Sequence, residues 1–159
     1  MPSYQVRIAS AELTFAAAHF ITLESDVCER LHGHDYHLAA EVRGPLGDEG
    51  FVIDFVAVRD ALRTILAELD HRILLPTGHR AIQVSDDRRE IEVRFADRRW
   101  VFPREECVLL PLENTTSELL ALHVGERLRE ALESLSGESP EFVRIEVAEG
   151  NGFTAVCEL

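Results

Sequence analysis

The chain has 159 residues, which suits one domain with one core, since single cores usually run to about 100–200 residues before chains divide. Apolar residues at 46% and charged residues at 28% match a soluble globular protein and exclude disordered and fibrous classes. A formal net charge of −13 disfavours nucleic acid and anionic membranes as partners, and a polyanionic substrate would need a local patch drawn from the sixteen basic residues, all arginine.

Taken in chain order, residues 4–15 read as a strand. Tyr4, Val6 and Ile8 alternate with polar neighbours, and Leu13 and Phe15 resume the pattern after a bulge around Ser10-Ala11-Glu12. A second alternating stretch covers residues 32–43, with Leu38, Ala40 and Val42 on one face and His37, Glu41 and Arg43 on the other; it ends at Gly44-Pro45. Asp54 offers an N-cap to a helix that stops near His71 and whose stripe is Phe55, Val58, Leu62, Ile65, Leu66 and Leu69. Alternating segments between residues 81 and 102 predict an inserted β-meander. A second helix is expected from Thr115, where Thr115-Thr116-Ser117-Glu118 matches a capping box, and Gly137 and Pro140 end it. Two last strands, 142–149 and 153–159, flank the turn Gly150-Asn151-Gly152. The order ββα, insertion, αββ predicts an α+β fold in which an antiparallel sheet is covered on one face by both helices. Burial of the other face then calls for self-association.

No basic leader with an apolar core and no apolar run near twenty residues is seen, so a cytoplasmic protein is expected. The three cysteines Cys28, Cys107 and Cys157 form no C-x-x-C pair, which argues against a disulfide framework and against a thiolate zinc knuckle.

His32-Gly33-His34 places two imidazoles two residues apart, on one face of a strand, where they can chelate one ion. His19, at the end of the preceding Phe15-Ala16-Ala17-Ala18 run, is placed to supply a third ligand. Three neutral imidazoles suit a catalytic zinc with an open position. His37 falls on the opposite face and is left out. The plainer alternative is two polar strand residues. Cys28, four residues before His32, would gain thiolate character beside a cation, whereas Cys107 and Cys157 read as small buried hydrophobes. Asp70-His71 could form a general acid/base couple, although a histidine ending a helix also gains from the dipole alone. Capping explains Thr115 and Glu118 without a site. Glu149, beside the glycine turn, could accept two N–H bonds from a flat guanidine-like edge.

Phe15-Ala16-Ala17-Ala18-His19, Cys28-Glu29-Arg30-Leu31-His32-Gly33-His34, Gly50-Phe51-Val52-Ile53-Asp54-Phe55, Leu69-Asp70-His71, Asn114-Thr115-Thr116-Ser117-Glu118 and the final Glu149 follow one another in an order that resembles the 6-pyruvoyltetrahydropterin synthase / 6-carboxytetrahydropterin synthase family. The resemblance covers most of the chain outside residues 76–112. It implies a tunnelling fold of ββααββ subunits that build a trimeric barrel, with two trimers stacked. It also implies Zn2+ at His19, His32 and His34, Cys28 as the base that removes a carbon-bound proton, Asp70 with His71 as proton relay, Glu149 as pterin anchor, and Thr116 and Glu118 as further pterin contacts. The substrate implied is 7,8-dihydroneopterin triphosphate. In the queuosine branch, which the C-x-R-L-H-G-H form favours, the products are 6-carboxy-5,6,7,8-tetrahydropterin, acetaldehyde and triphosphate. A biopterin branch eliminates triphosphate to give 6-pyruvoyltetrahydropterin. A third branch uses a glutamate and cleaves dihydroneopterin side chains toward folate, and Glu29 beside Cys28 keeps it open. The chain departs from the pattern in its longer insertion at about residues 76–112 and in Gly150, where a threonine is usual. A non-catalytic zinc- or pterin-binding module and a zinc hydrolase are the competing classes. Joint retention of Cys28, Asp70 and His71 counts against the first, and the absence of H-E-x-x-H against the second.

Overall fold

The computed structural model describes residues 2–24 and 26–159. Strands β1 (Tyr4–Ile8) and β2 (Thr14–His19) lie end to end, followed by the short pair β3 (Thr22–Leu23) and β4 (Val27–Cys28) and the long β5 (His32–Gly44). Both β1 and β2 run antiparallel to β5, with Ile8 opposite Ala40 and Thr14 opposite His37. Residues 9–13 therefore face only residues 38–39, which is the bulge that the broken alternation predicts.

Helix α1 (Phe55–Leu69) starts where Asp54 accepts a hydrogen bond from the Val56 N–H at 2.9 Å. Its buried stripe is Val58, Leu62, Ile65, Leu66 and Leu69; Phe55 is 63% exposed and stands outside it. The chain returns as β6 (Arg72–Pro76), makes the meander β7 (Gln83–Asp86), β8 (Glu90–Phe95) and β9 (Arg98–Pro103), and passes through β10 (Cys107–Leu110) to helix α2 (Ser117–Ser136). Strands β11 (Phe142–Ala148) and β12 (Thr154–Glu158) close the chain as a hairpin.

The main sheet has the order β10-β6-β2-β5-β11-β12, with β1 also beside β5. The outer part differs from the expected all-antiparallel sheet: β6 is parallel to β2, and β10 is parallel to β6, so the sheet is mixed. These strands escape a period-two reading because Leu74 and Leu75 are adjacent and both fully buried, the pattern of a strand covered on both faces. Where they end, the Gly78 N–H donates to the Leu112 carbonyl at 2.9 Å, and a Cβ on residue 78 would sit 2.9 Å from that oxygen. Gly78→Ala is therefore expected to cost about 1–3 kcal/mol of stability in urea denaturation. An unchanged midpoint would show that the 78–112 contact yields freely.

Both helices cover one face. Helix α2 lies over β11 and β12, α1 over β1, β2 and β6, and Phe15, Tyr36, Leu38, Ala40, Val42, Val143, Ile145 and Val147 meet Leu62, Leu66, Leu120, Val124 and Leu128 between the layers. The other face is polar. Arg7 bonds Glu146 at 3.0 Å and approaches Glu41 at 3.5 Å, and Arg144 approaches Glu146 at 3.2 Å. The meander forms its own three-stranded sheet whose apolar side, Ile91, Val93 and Phe95, packs with Phe20, Leu75, Ile82 and Cys107. Among the described residues no helix is long and apolar enough to cross a membrane.

Candidate active site

The end of β2 and the start of β5 bring the three histidines together. His19 lies directly opposite His32, and His34 lies two residues further along β5, on the same side. One ring nitrogen from each falls within 4.8 Å of the others. His19 is 2% exposed, and its Nδ1–H donates to the Thr115 carbonyl at 2.8 Å. His32 Nδ1–H likewise donates to the Arg30 carbonyl at 2.8 Å. A carbonyl can only accept, so in both rings Nδ1 carries the proton and Nε2 the lone pair, the tautomer that binds a metal through Nε2; on His19 the Tyr36 hydroxyl lies 3.4 Å from that atom. Burial, reinforced by His32 and His34, pushes His19 below the ordinary imidazole value and keeps it neutral; the bond to Thr115 acts the other way. The donor set fits zinc, for which three histidines plus an open position is a recurrent catalytic arrangement. Beneath the triad, Tyr36 stacks on Phe15 at 4.6 Å, and burial pushes its hydroxyl strongly upward.

The triad borders a cavity of about 670 Å³ that is also lined by Glu29, Thr116, Ser117, Glu118, Glu149 and Phe153. Glu149 enters from the end of β11, just before a turn in which Gly150, Asn151 and Gly152 have φ of 94°, 54° and 82°. Its carboxylate accepts a hydrogen bond from Ser117 Oγ at 2.9 Å. Ser117 was not singled out from sequence; its only signal is its place between two motif residues. The helix start also differs from expectation. The N-cap is Thr116, whose hydroxyl accepts from the Leu119 N–H at 3.4 Å, so Glu118 is one position too early for a capping box with it. Thr115 is instead fully buried and bonds the Phe20 carbonyl at 3.4 Å. Capping therefore leaves Glu118 unexplained, and it borders the cavity.

Cys28 and Glu29 lie on opposite sides of the chain as it leaves β4. Glu29 lines the cavity, with Oε2 3.8 Å from His32 Nε2. Cys28 packs against the apolar cluster around Phe20 and Leu75. That burial pushes its thiol up, partly countered by Arg98. Cys107 is buried too and pushed up to about 11.

Asp70 and His71 stand apart from the cavity on the same chain. They follow α1 at the β2 edge, where Asp70 Oδ1 accepts from the Ala16 N–H at 2.9 Å and Oδ2 lies 2.9 Å from His71 Nδ1. The bond from Ala16, more than the contact with His71, holds the Asp70 carboxyl below its usual range. His71 has φ of 56°, an uncommon conformation for a non-glycine residue, pinned by its N–H to the Ala16 carbonyl at 2.6 Å. Its side chain is 82% exposed and borders a second cavity with Gly33, His34 and Arg72.

Burial is the main cause that holds His19 and His123 below the ordinary imidazole value of 6.5. An unfolded chain then binds more protons than the folded one below 6.5, so these groups cost nothing above that pH and destabilise the metal-free fold as pH drops from 6.5 toward their lowered values. Urea denaturation of metal-free protein at about pH 7.5 and pH 5.5 should show the lower midpoint in acid. Equal midpoints would mean that neither ring is held neutral by the fold.

The family model for 6-pyruvoyl tetrahydropterin synthase matches residues 8–159. An Aquifex aeolicus protein, 27% identical over 80% of this chain and 74% of its own, carries the name 6-carboxy-5,6,7,8-tetrahydropterin synthase, and a Methanocaldococcus jannaschii protein, 29% identical over 89% and 87%, carries the name "putative 6-carboxy-5,6,7,8-tetrahydropterin synthase". A Pyrococcus furiosus dihydroneopterin monophosphate aldolase is 27% identical over 91% of each chain. Among solved structures, 6-pyruvoyl tetrahydropterin synthase of Plasmodium falciparum superposes with a TM-score of 0.91 at 26% identity, covering 100% of this chain and 99% of that one. The Plasmodium vivax enzyme, solved with a catalytic glutamate replaced by alanine, gives a TM-score of 0.90 at 25% identity over 100% of this chain and 99% of that one.

Proposed function

The chain belongs to the 6-pyruvoyl tetrahydropterin synthase family, and from that premise we propose that it is a zinc-dependent lyase acting on the C6 side chain of 7,8-dihydroneopterin triphosphate. The observation that carries the reading is the convergence of three imidazole nitrogens, the Glu149 carboxylate and the Glu29 carboxylate on one cavity. Bound zinc would supply electrophilic stabilisation of charge on the side-chain oxygens. Glu149, oriented by Ser117, accepts the N–H groups of the pterin ring, and Thr116 and Glu118 border the same cavity at the start of α2. Glu29 takes up the carbon-bound proton. Cys28, one residue earlier, takes that role only if the turn rotates its thiol into the cavity.

The product favoured is 6-carboxy-5,6,7,8-tetrahydropterin, with acetaldehyde and triphosphate released, a step toward queuosine and other 7-deazapurines. The names of the Methanocaldococcus and Aquifex relatives support it. The position of Glu29 favours a second reading, side-chain cleavage that releases the two outer carbons as glycolaldehyde still bearing the triphosphate, for which the Pyrococcus furiosus aldolase is the relevant relative. The fragment freed when zinc-loaded protein meets dihydroneopterin triphosphate separates them: acetaldehyde with free triphosphate supports the first, glycolaldehyde still esterified to the triphosphate supports the second, and a retained three-carbon side chain supports triphosphate elimination. No turnover of this compound or of dihydroneopterin would sink the enzyme reading and leave a binding module.

Asp70 and His71 fit this chemistry as a relay offered to the cavity of an adjoining subunit, since on their own chain neither lines the triad cavity and His71 borders a different one. The strands β1 and β12 lie at the open sides of the sheet, which supports a ring of copies, a trimer or a dimer of trimers.

A further inference from the structure

We propose that Arg98, in the inserted meander, is a positioning residue that fixes the turn at residues 28–29, keeping Glu29 in the cavity and Cys28 out of it. Its guanidinium spans two successive carbonyls: Nη1 donates to Cys28 O at 2.6 Å and Nη2 to Glu29 O at 3.1 Å. In an extended strand successive carbonyls point to opposite sides, so one planar fork can hold both only where the chain turns. The turn falls at the end of β4, and there the Glu29 N–H is also tied to the Ile21 carbonyl at 2.9 Å.

The fork is itself braced. The Arg98 guanidinium carbon lies 4.6 Å from the centre of the Trp100 ring, and Trp100 stacks on Phe20 at 4.8 Å with 17° between planes. Phe20 is fully buried and directly follows His19. The meander is thereby joined to both the strand that carries a zinc ligand and the segment that carries the base. Which of two adjacent residues faces the cavity depends on the rotation of the chain at this turn, and Arg98 sets that rotation from 69 or 70 residues away.

The test measures how fast iodoacetamide alkylates Cys28, read by peptide mass spectrometry, in zinc-loaded parent, Arg98→Ala and Arg98→Lys, together with zinc content and kcat. In Arg98→Ala the thiol is released from the apolar cluster and should react about tenfold faster, because thiolate attack depends on access to the sulfur. Zinc content should stay that of the parent, and kcat should fall about ten- to a hundredfold, the scale of a catalytic group displaced by about an ångström. Arg98→Lys keeps the stem and the charge but lacks the fork; it should fall between the two, and it carries the test if the alanine variant does not fold. A purely electrostatic role has the opposite sign, since removing the cation beside the thiol would slow alkylation. An unchanged or slower rate in both variants overturns the proposal. The kcat readout alone rests on Glu29 as base: full turnover in Glu29→Gln with accelerated alkylation in Arg98→Ala would remove that assignment and leave the clamp standing.

Discussion

Glu29→Gln is expected to lower kcat on dihydroneopterin triphosphate by about 10²–10⁴-fold, the range for loss of a general base, with zinc content and KM close to those of the parent. Glutamine keeps the shape and can still accept a hydrogen bond, but it cannot take a proton. The carboxylate it replaces is half-buried on the cavity wall, with Oε2 3.8 Å from His32 Nε2, within reach of a substrate atom held at the triad. Cys28→Ala should have the smaller effect, because its thiol packs against the Phe20 and Leu75 cluster and burial raises its proton affinity. The reverse ranking, with turnover lost in Cys28→Ala and kept in Glu29→Gln, would make the thiol the base and show that the 28–29 turn rotates during the reaction.

The difference between these two residues shows where sequence reading ends. The triad was legible because imidazoles two apart on a strand must share a face, and that rule survives folding: His32 and His34 face one cavity and His19 pairs opposite. The helix α1 stripe, the Asp54 cap and the three segments of the meander were legible for the same kind of reason, a period repeated several times. Strand β4, at two residues, has no period at all, so nothing in Cys28-Glu29 says which side chain turns inward. Strands β6 and β10 were hidden because burial on both faces erases alternation. The start of α2 moved from Thr115 to Thr116 because Thr115 is drawn into the core against Phe20. Arg98 left no trace, since its two acceptors are backbone carbonyls distant in sequence and of no particular residue type.

His34→Ala is expected to weaken zinc binding by more than the 10–100-fold that loss of a supporting hydrogen bond typically costs, and to remove turnover with it. A zinc site of three imidazoles plus an open position cannot drop to two protein ligands and stay a closed chelate, because the ion then relies on water for half of its tetrahedron. His34 suits the test better than His19, whose ring also bonds the Thr115 carbonyl and whose removal from a 2%-exposed site would disturb packing. The His34 ring is half-buried at the cavity wall, so its loss should shift the urea midpoint of the metal-free protein little. The matching control is His37→Ala. Three residues further along the same strand and exposed, His37 turns to the other face, and its loss should leave zinc content at the parent level. Competition against a fluorescent chelator, with total zinc counted by mass spectrometry, reads both variants on one scale. Retained affinity in His34→Ala, or zinc lost from His37→Ala, would mean that the ion sits elsewhere and that the converging rings serve only the polar wall of the cavity.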